Sequence, residues 1–297
     1  MTLRVATRRS PLALVQATRV QRRLEEHGVE SELVLVDTRG DRDLHTDLAT
    51  LGGQGIFAVE VQRAVLAGEA DVAVHSAKDL PSVTPPGLVL ASVPERLDAS
   101  DVLVGRSLAG LGPGATVATG SPRRRALLLE RRPDLQIVSL RGNMATRLAK
   151  SGTDGVDAIV AARAALERLE ELDVVSERLD PTWFIPQVGQ GALALEARSD
   201  DATTRATLAS ISDPVALLTV TAERAFLEEL GAGCSIPAGA HGRVVGEALT
   251  LRGVMLEPDG TKSVRAEFTG SDPHELGSRL ARHLRDDLGG GAFVAGI

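Results

Sequence analysis

The chain has 297 residues, 43% hydrophobic and 25% charged, with a formal net charge of −7. That length supports roughly two or three domains with apolar cores and excludes a disordered or fibrous class. One cysteine forbids an internal disulfide framework, and an acidic balance with 2% aromatics and no Tyr argues against a nucleic-acid surface made of a basic field and stacking rings.

The opening stretch MTLRVATRRSPLALVQ has no long apolar run, which predicts no signal peptide, no membrane span and a cytoplasmic, reduced location. From Thr2 to about Asp200, short apolar strands alternate with helical runs: LRVAT then SPLALVQATRVQRRLEEHG, ELVLVDT then GIFAVEVQRAVLAG, DVAVH, LQIVSL then NMATRLAKSG, VDAIVAA then ALERLEEL. Such alternation implies parallel sheets with covering helices, an α/β class. Between Gly87 and Gly105 two extended runs follow one another without a helix, as in a chain crossing from one α/β unit to the next. The Gly-Gln-Gly stretch near residue 190 precedes the apolar run ALALEA, which reads as a return to the earlier sheet. The expected division is therefore residues 1–95 with 190–212 as a discontinuous first domain and 96–189 as a second, with a hinge between them. Residues 213–297 make a third, α+β domain: the helix PVALLTVTAERAFLEEL, a loop carrying the cysteine, the strands EALTLRGVML and SVRAEFTG around the turn EPDG, and a last helix in SDPHELGSRLARHL.

One device occurs twice. In TRRSPLALV and TGSPRRRALLL a strand ends, Ser-Pro follows and an apolar-periodic helix begins. Ser10 and Ser121 thus fit the N-cap, and Pro11 and Pro122 the first helical position. With Arg8 and Arg9 beside one and Arg123, Arg124 and Arg125 beside the other, each could cradle an anion, although a routine helix start with solvated arginines has the same spelling. Arg141 follows another apolar strand beside Gly142, and Arg147 lies about one and a half turns on if a helix starts near Asn143. Arg168 stands among Glu167, Glu170 and Glu171, where spacing alone favours a pair within its own helix. Ligands of open α/β sheets bind outside the carboxyl ends of strands, where Arg8, Arg123, Arg124 and Arg141 all fall, so the cluster suggests a polycarboxylate or phosphate ligand.

The stretch DVAVHSAKDLP delivers His75, Ser76, Lys78 and Asp79 in one turn stopped by Pro81. A carboxylate kept ionised by a lysine suits stabilisation of a cation or transfer of a proton; a surface turn with a local ion pair would look the same. His75 reads as a packed residue, because no histidine shows ligand spacing with another, and no metal site is expected. LGGQGIF and PQVGQGALALEAR lack the full phosphate-loop or dinucleotide fingerprint. Trp183 and Phe184 read as packing residues. The cysteine, Cys234, lies in GAGCSIPAG, between two glycines on one side and a proline on the other, which suggests a loop and access to the sulfur.

In order, ATRRSPLALVQA, GIFAVE, DVAVHSAKDLP, SPRRR, RRPDL, SLRGNMATRL, VGQGALALE and TAERAFLEELGAGCSIPAG resemble the hydroxymethylbilane synthases, or porphobilinogen deaminases, over nearly the whole chain. The resemblance implies two periplasmic-binding-protein-like α/β domains joined by two crossings, plus a C-terminal α+β domain with an antiparallel sheet. It implies a monomeric transferase of haem biosynthesis that adds four porphobilinogen units head to tail, with loss of ammonia, to a dipyrromethane cofactor, and then releases hydroxymethylbilane by hydrolysis. Cys234 would hold the cofactor as a thioether. Asp79, with Lys78, would be catalytic, stabilising the azafulvenium cation left when ammonia departs. Lys78, Thr119, Ser121, Arg123, Arg124, Arg141 and Gly142 would hold the acetate and propionate groups of the cofactor. Arg8, Ser10, Arg147 and Arg168 match positions that bind substrate or the growing chain.

The sequence departs from the family pattern at Gln54 and Val59, where lysines are usual, and at Arg163 and Ala165, where an apolar residue and Gly are usual. These differences bear on how the cleft closes. A rival class is a non-catalytic two-lobed binding protein or sensor for a polycarboxylate, which needs neither Asp79 nor Cys234. A cysteine hydrolase would need a His-activated thiol, with His241 the nearest histidine in sequence.

Overall fold

The computed structural model describes residues 2–38, 55, 57–231 and 236–293. The chain begins with β1 (Leu3–Arg8), α1 (Pro11–Glu26), β2 (Ser31–Val36), α2 (Val59–Leu66), β3 (Val72–Ser76) and β4 (Leu88–Ser92). Successive strand residues face opposite sides of a sheet, and both sides are covered. Val5, Val72 and Val74 pack with Ala17, Val20 and Leu24 of α1, whereas Ala6 and Ala73 pack with Val61 and Val65 of α2. Each fully buried Val or Leu contributes about 1.5–3 kcal/mol, so β1 and β3 fix the turns at their carboxyl ends firmly.

The second lobe comprises β5 (Asp101–Val104), β6 (Thr116–Ala118), α3 (Pro122–Arg131), β7 (Gln136–Val138), α4 (Met144–Leu148), β8 (Ala158–Ala162), α5 (Arg163–Arg168) and β9 (Val175–Arg178). The chain then returns as β10 (Leu193–Arg198) and α6 (Ala202–Ser210). Strand order is β2-β1-β3-β10-β4 in the first sheet and β7-β6-β8-β5-β9 in the second, so the two lobes repeat one plan. Neither sheet is purely parallel, as simple alternation would have it. β10 runs antiparallel to β3 and β4, and β5 antiparallel to β8 and β9. The reason is topological: each is the strand that arrives from the other lobe, and it enters against the direction of the strands already there.

The two crossings lie against each other. Arg96 and Ala192 form an antiparallel bridge, Leu97 N–H donates to the Gly191 carbonyl (3.1 Å) and Leu193 N–H to that of Glu95 (3.2 Å). The last part contains α7 (Pro214–Glu229), an antiparallel sheet of β11 (Ala238–Val245), β12 (Ala248–Leu256) and β13 (Ser263–Gly270), and α8 (Pro273–Arg282). Its core joins Phe226, Leu251, Met255, Leu276 and Leu280. Glu223 of α7 clasps both crossings: it accepts from Gly189 N–H (2.7 Å), from Gly242 N–H of β11 (2.7 Å) and from Arg96 (2.8 Å). β11 was not apparent in the sequence. Its Gly239 lies so close to the second crossing that a Cβ there would meet the Pro186 carbonyl oxygen at 2.6 Å, and the glycines that permit this contact erase the apolar alternation of a strand.

Candidate active site

Both Ser-Pro devices start helices, but their hydroxyls differ. Ser121 accepts from the Arg124 backbone N–H (3.4 Å), while Ser10 sits at the N-cap of α1 without a side-chain cap bond. Arg8, at the end of β1, lies with its guanidinium over the Phe57 ring, 4.1 Å from the centroid. Arg8, Ser10, Gln16, His75, Ser76 and Asp79 line one small cavity, so the ends of β1 and β3 are brought together.

The His75–Pro81 stretch becomes the end of β3 and a single 3-10 turn, Ala77–Asp79. Asp79 is half-buried. Around it stand cations from both lobes. Burial, with Arg124 and Arg147 adding repulsion against the pull of Asp79 and Asp101, lowers the Lys78 ammonium to about 8. Burial, with Arg124 and Arg141, likewise lowers Arg147, and Asp79 opposes this. Lys78, Arg124, Arg141 and Arg147 thus form a positive cluster with Asp79 and Asp101 as its carboxylates, a balance that a ligand carrying several carboxylates would redress. Gly142 has φ +101 and its carbonyl accepts from Arg147 Nε (2.8 Å), which folds the Arg147 side chain back over the turn. Thr119 is buried, and its hydroxyl accepts from the Ser121 N–H (3.2 Å).

Three expectations need revision. Arg123 does not reach the cleft: it is 1% exposed, donating to the Ile185 carbonyl (2.7 Å) and to Asp101 (2.7 Å). The face of α3 that carries it turns into the protein, against Phe184. Arg168 pairs with no glutamate of its own helix; it donates to Glu95 of the first crossing (3.0 Å) and to the Gly191 carbonyl of the second (2.8 Å). It borders a separate groove of about 670 Å³ between α1 and α5, away from the Asp79 cavity. The VGQG stretch is more than a linker. Gly189 and Gly191 both have positive φ, and a Cβ would meet the Ala77 carbonyl carbon at 2.9 Å and the Leu97 oxygen at 2.4 Å, so the return crossing packs directly on the Lys78 turn. Trp183 and Phe184 pack edge to face in the core of the second lobe, as their context suggested. Cys234 and Gln54 lie outside the described residues. Val59 begins α2, and Arg163 pairs with Glu167 and faces Asp98.

Asp101, at the start of β5, went unnoticed in the sequence. Fully buried, it takes Arg123 on one oxygen and Arg124 on the other, at 2.7 Å each. Burial pushes its carboxyl up, but the two arginines override this and hold it at about 2. Arg124 also donates to the Val160 carbonyl (3.0 Å), so each of its terminal nitrogens makes a bond within the second lobe. Removing one partner of a buried charge network leaves an uncompensated charge, so Asp101→Ala is expected to cost about 3–5 kcal/mol. Urea unfolding at neutral pH checks this; a loss below about 1 kcal/mol would mean that the arginines find water or another partner.

Buried Glu196 takes Gln62 (2.8 Å) and His75 (3.2 Å) beneath the turn, consistent with a packing role for His75. Burial holds His241 down at about 4, neutral, near Glu223 and Arg96. Among the described residues no His, Cys, Asp or Glu group could hold a metal ion, and no helix is long and apolar enough to cross a membrane.

Lobes, crossings and charge define a two-lobed α/β protein with basic side chains of both lobes gathered near the Lys78–Asp79 turn and a third part that holds the two crossings. Residues 3–206 match the family model described as porphobilinogen deaminase, dipyromethane cofactor binding domain, and residues 217–286 that of the porphobilinogen deaminase C-terminal domain. The chain belongs to the porphobilinogen deaminase family. It is similar to the porphobilinogen deaminase of Roseiflexus sp., 46% identical over 302 residues, covering 99% of each chain. To that of Geobacter sulfurreducens it is 44% identical over 293 residues, 97% of this chain and 92% of the other. The methionine binding protein MetQ is a structural neighbour at 14% identity, covering 71% of this chain and 89% of that one, with a TM-score of 0.45. The protein is thus an enzyme, a transferase of tetrapyrrole biosynthesis with a dipyrromethane cofactor domain, and the non-catalytic and hydrolase readings give way.

Proposed function

We propose that the chain condenses four porphobilinogen molecules head to tail on a dipyrromethane primer attached through Cys234, releasing ammonia at each addition, and then frees hydroxymethylbilane by hydrolysis. The observation that carries this reading is the meeting of Lys78 and Arg147 at Asp79, with Arg124 close to both and Arg141 close to Arg147. Every porphobilinogen brings two carboxylates, and planar guanidinium forks neutralise such groups bidentately. When bound, the dipyrromethane supplies the nucleophilic pyrrole carbon at which the chain grows. Lys78, Arg124, Arg141, Ser121, Thr119 and the Gly142 backbone would hold its acetate and propionate groups. Arg123 supports them indirectly by holding Asp101, and so Arg124, in place. Arg8 and the uncapped Ser10 hydroxyl would receive the incoming substrate, with Arg147 between the two groups. Positive charge develops on the substrate pyrrole as ammonia leaves, and the Asp79 carboxylate would stabilise it.

Arg168, beside the groove along α1, would act on the elongating chain rather than on the primer. We take 1–95 with 190–212, 96–189 and 213–297 as the domains, supported by the exchange of β5 and β10 between lobes. We also take the enzyme to act as a cytoplasmic monomer without nucleic-acid partners, on the strength of its acidic, single-cysteine composition. The test compares two arginines. Arg141→Leu is expected to leave apo-protein by intact mass, whereas Arg168→Leu stays loaded with primer but stalls in a later addition. Equal loading and equal turnover of both variants would refute the carboxylate site.

A further inference from the structure

We propose that Gln190 is a positioning residue for Lys78, tying its ammonium to the buried Asp101 and so coupling the Asp79 turn of the first lobe to the arginine pair of the second. Gln190 is fully buried in the return crossing. Its Nε2 donates to the Ala99 carbonyl (2.7 Å) and to Asp101 Oδ1 (2.9 Å), while its Oε1 accepts from Lys78 Nζ (3.4 Å). With two acceptors on the nitrogen side and a cation on the oxygen side, only one orientation of the amide satisfies every partner. The backbone leaves no slack. Gln190 N–H donates to the Gln187 carbonyl (2.9 Å), its carbonyl accepts from Arg96 Nε (3.3 Å), and Ala77 N–H donates to the neighbouring Ala192 carbonyl (3.0 Å). The side chain thus spans the point where the first lobe, the crossing and the second lobe meet.

The charges facing Lys78 are Asp79 on its own turn, Asp101 on β5, Arg124 on α3 and Arg147 on α4. With Arg123 behind Asp101, cations outnumber carboxylates. Asp79 and Asp101 favour the charged ammonium, the Gln190 carbonyl oxygen at 3.4 Å adds a dipole in the same sense, and the midpoint already lies near 8 rather than 10.5. Removing the dipole favours the neutral amine and lowers the midpoint; a carboxylate at the same reach, kept ionised by the surplus of cations, raises it. The opposite signs separate this role from simple structural damage, which would move both variants alike. An anionic ligand favours the charged amine, so its affinity declines as pH rises past the free midpoint. This effect on loading rests on the assignment of Lys78 to the cofactor, but the titration itself does not.

The sequence holds three lysines, Lys78, Lys150 and Lys262, so protein carrying ¹³Cε-lysine gives three side-chain signals, with that of Lys78 identified by its loss in Lys78→Arg. In purified, primer-loaded enzyme, Gln190→Met is expected to lower the Lys78 midpoint by about 0.5 in pH or more, and Gln190→Glu to raise it. Movement of both in one direction, or of neither, overturns the proposal. Should either variant fail to fold, a crystal structure of the unaltered enzyme decides: Lys78 Nζ within hydrogen-bond reach of Gln190 Oε1 supports it, and an ammonium turned away overturns it. If the midpoints move as expected while loading by intact mass stays unchanged across pH, the positioning role stands and the assignment of Lys78 to the cofactor fails.

Discussion

Asp79→Asn is expected to fold normally and to lose on the order of a hundredfold or more in kcat, the scale seen when a preorganised electrostatic stabiliser is removed. The substitution keeps shape and removes charge. Catalysis depends on the carboxylate in two ways. It lines the cavity formed with Arg8, Ser10, Gln16 and Ser76, where it supplies the negative charge a substrate cation needs. It also supports the charged forms of Lys78 and Arg147, so its loss makes the Lys78 ammonium easier still to deprotonate. The measurements are steady-state turnover of porphobilinogen and thermal unfolding of the same preparation. Near-normal turnover would remove Asp79 from the mechanism, and a matching collapse in stability would show that its role is structural.

Local rules carried the sequence reading where the physics is local. Both Ser-Pro helix starts, the end of β3 at His75–Asp79 and the Asn143 cap of α4 follow from capping and turn chemistry within a few residues, and the structure has each of them. What stayed hidden depends on contacts distant in sequence. Asp101 stands 22 residues before Arg123 and 89 before Gln190, its other partner, and nothing near it marks it as the carboxylate that spends an arginine from the cleft. The three arginines after Ser121 look alike as letters. Helical rotation then turns Arg123 inward, holds Arg124 between Asp101 and the cleft, and leaves Arg125 exposed. Antiparallel β5 and β10 were likewise illegible, since a strand's direction is set by the lobe it leaves and not by its own residues.

Cys234→Ser is expected to yield protein without the adduct and with turnover at background. The residue itself lies outside the described part, so its case rests on sequence and on its flanks. α7 closes at Glu229 and Gly231 adopts φ +63; on the far side Ile236 is buried and β11 begins at Ala238. That strand abuts the site's own support, because a Cβ on Gly239 would lie 3.0 Å from Arg123 Cδ and 2.9 Å from the Ile185 oxygen. The start of β11 therefore lies beside Arg123, which holds Asp101 and so Arg124. A thiolate that attacks an electrophilic pyrrole carbon and stays bonded to it needs exposure and nearby positive charge, and glycines beside it give the backbone freedom to present it. Intact-mass measurement on enzyme from cells that make porphobilinogen should show an addition equal to two linked pyrroles, with the dipyrromethane colour reaction to Ehrlich's reagent. Both signals should vanish in Cys234→Ser while its melting temperature stays that of unloaded protein. Fully active enzyme with an unmodified Cys234 would refute the covalent primer and require the tetrapyrrole to be started on a free acceptor.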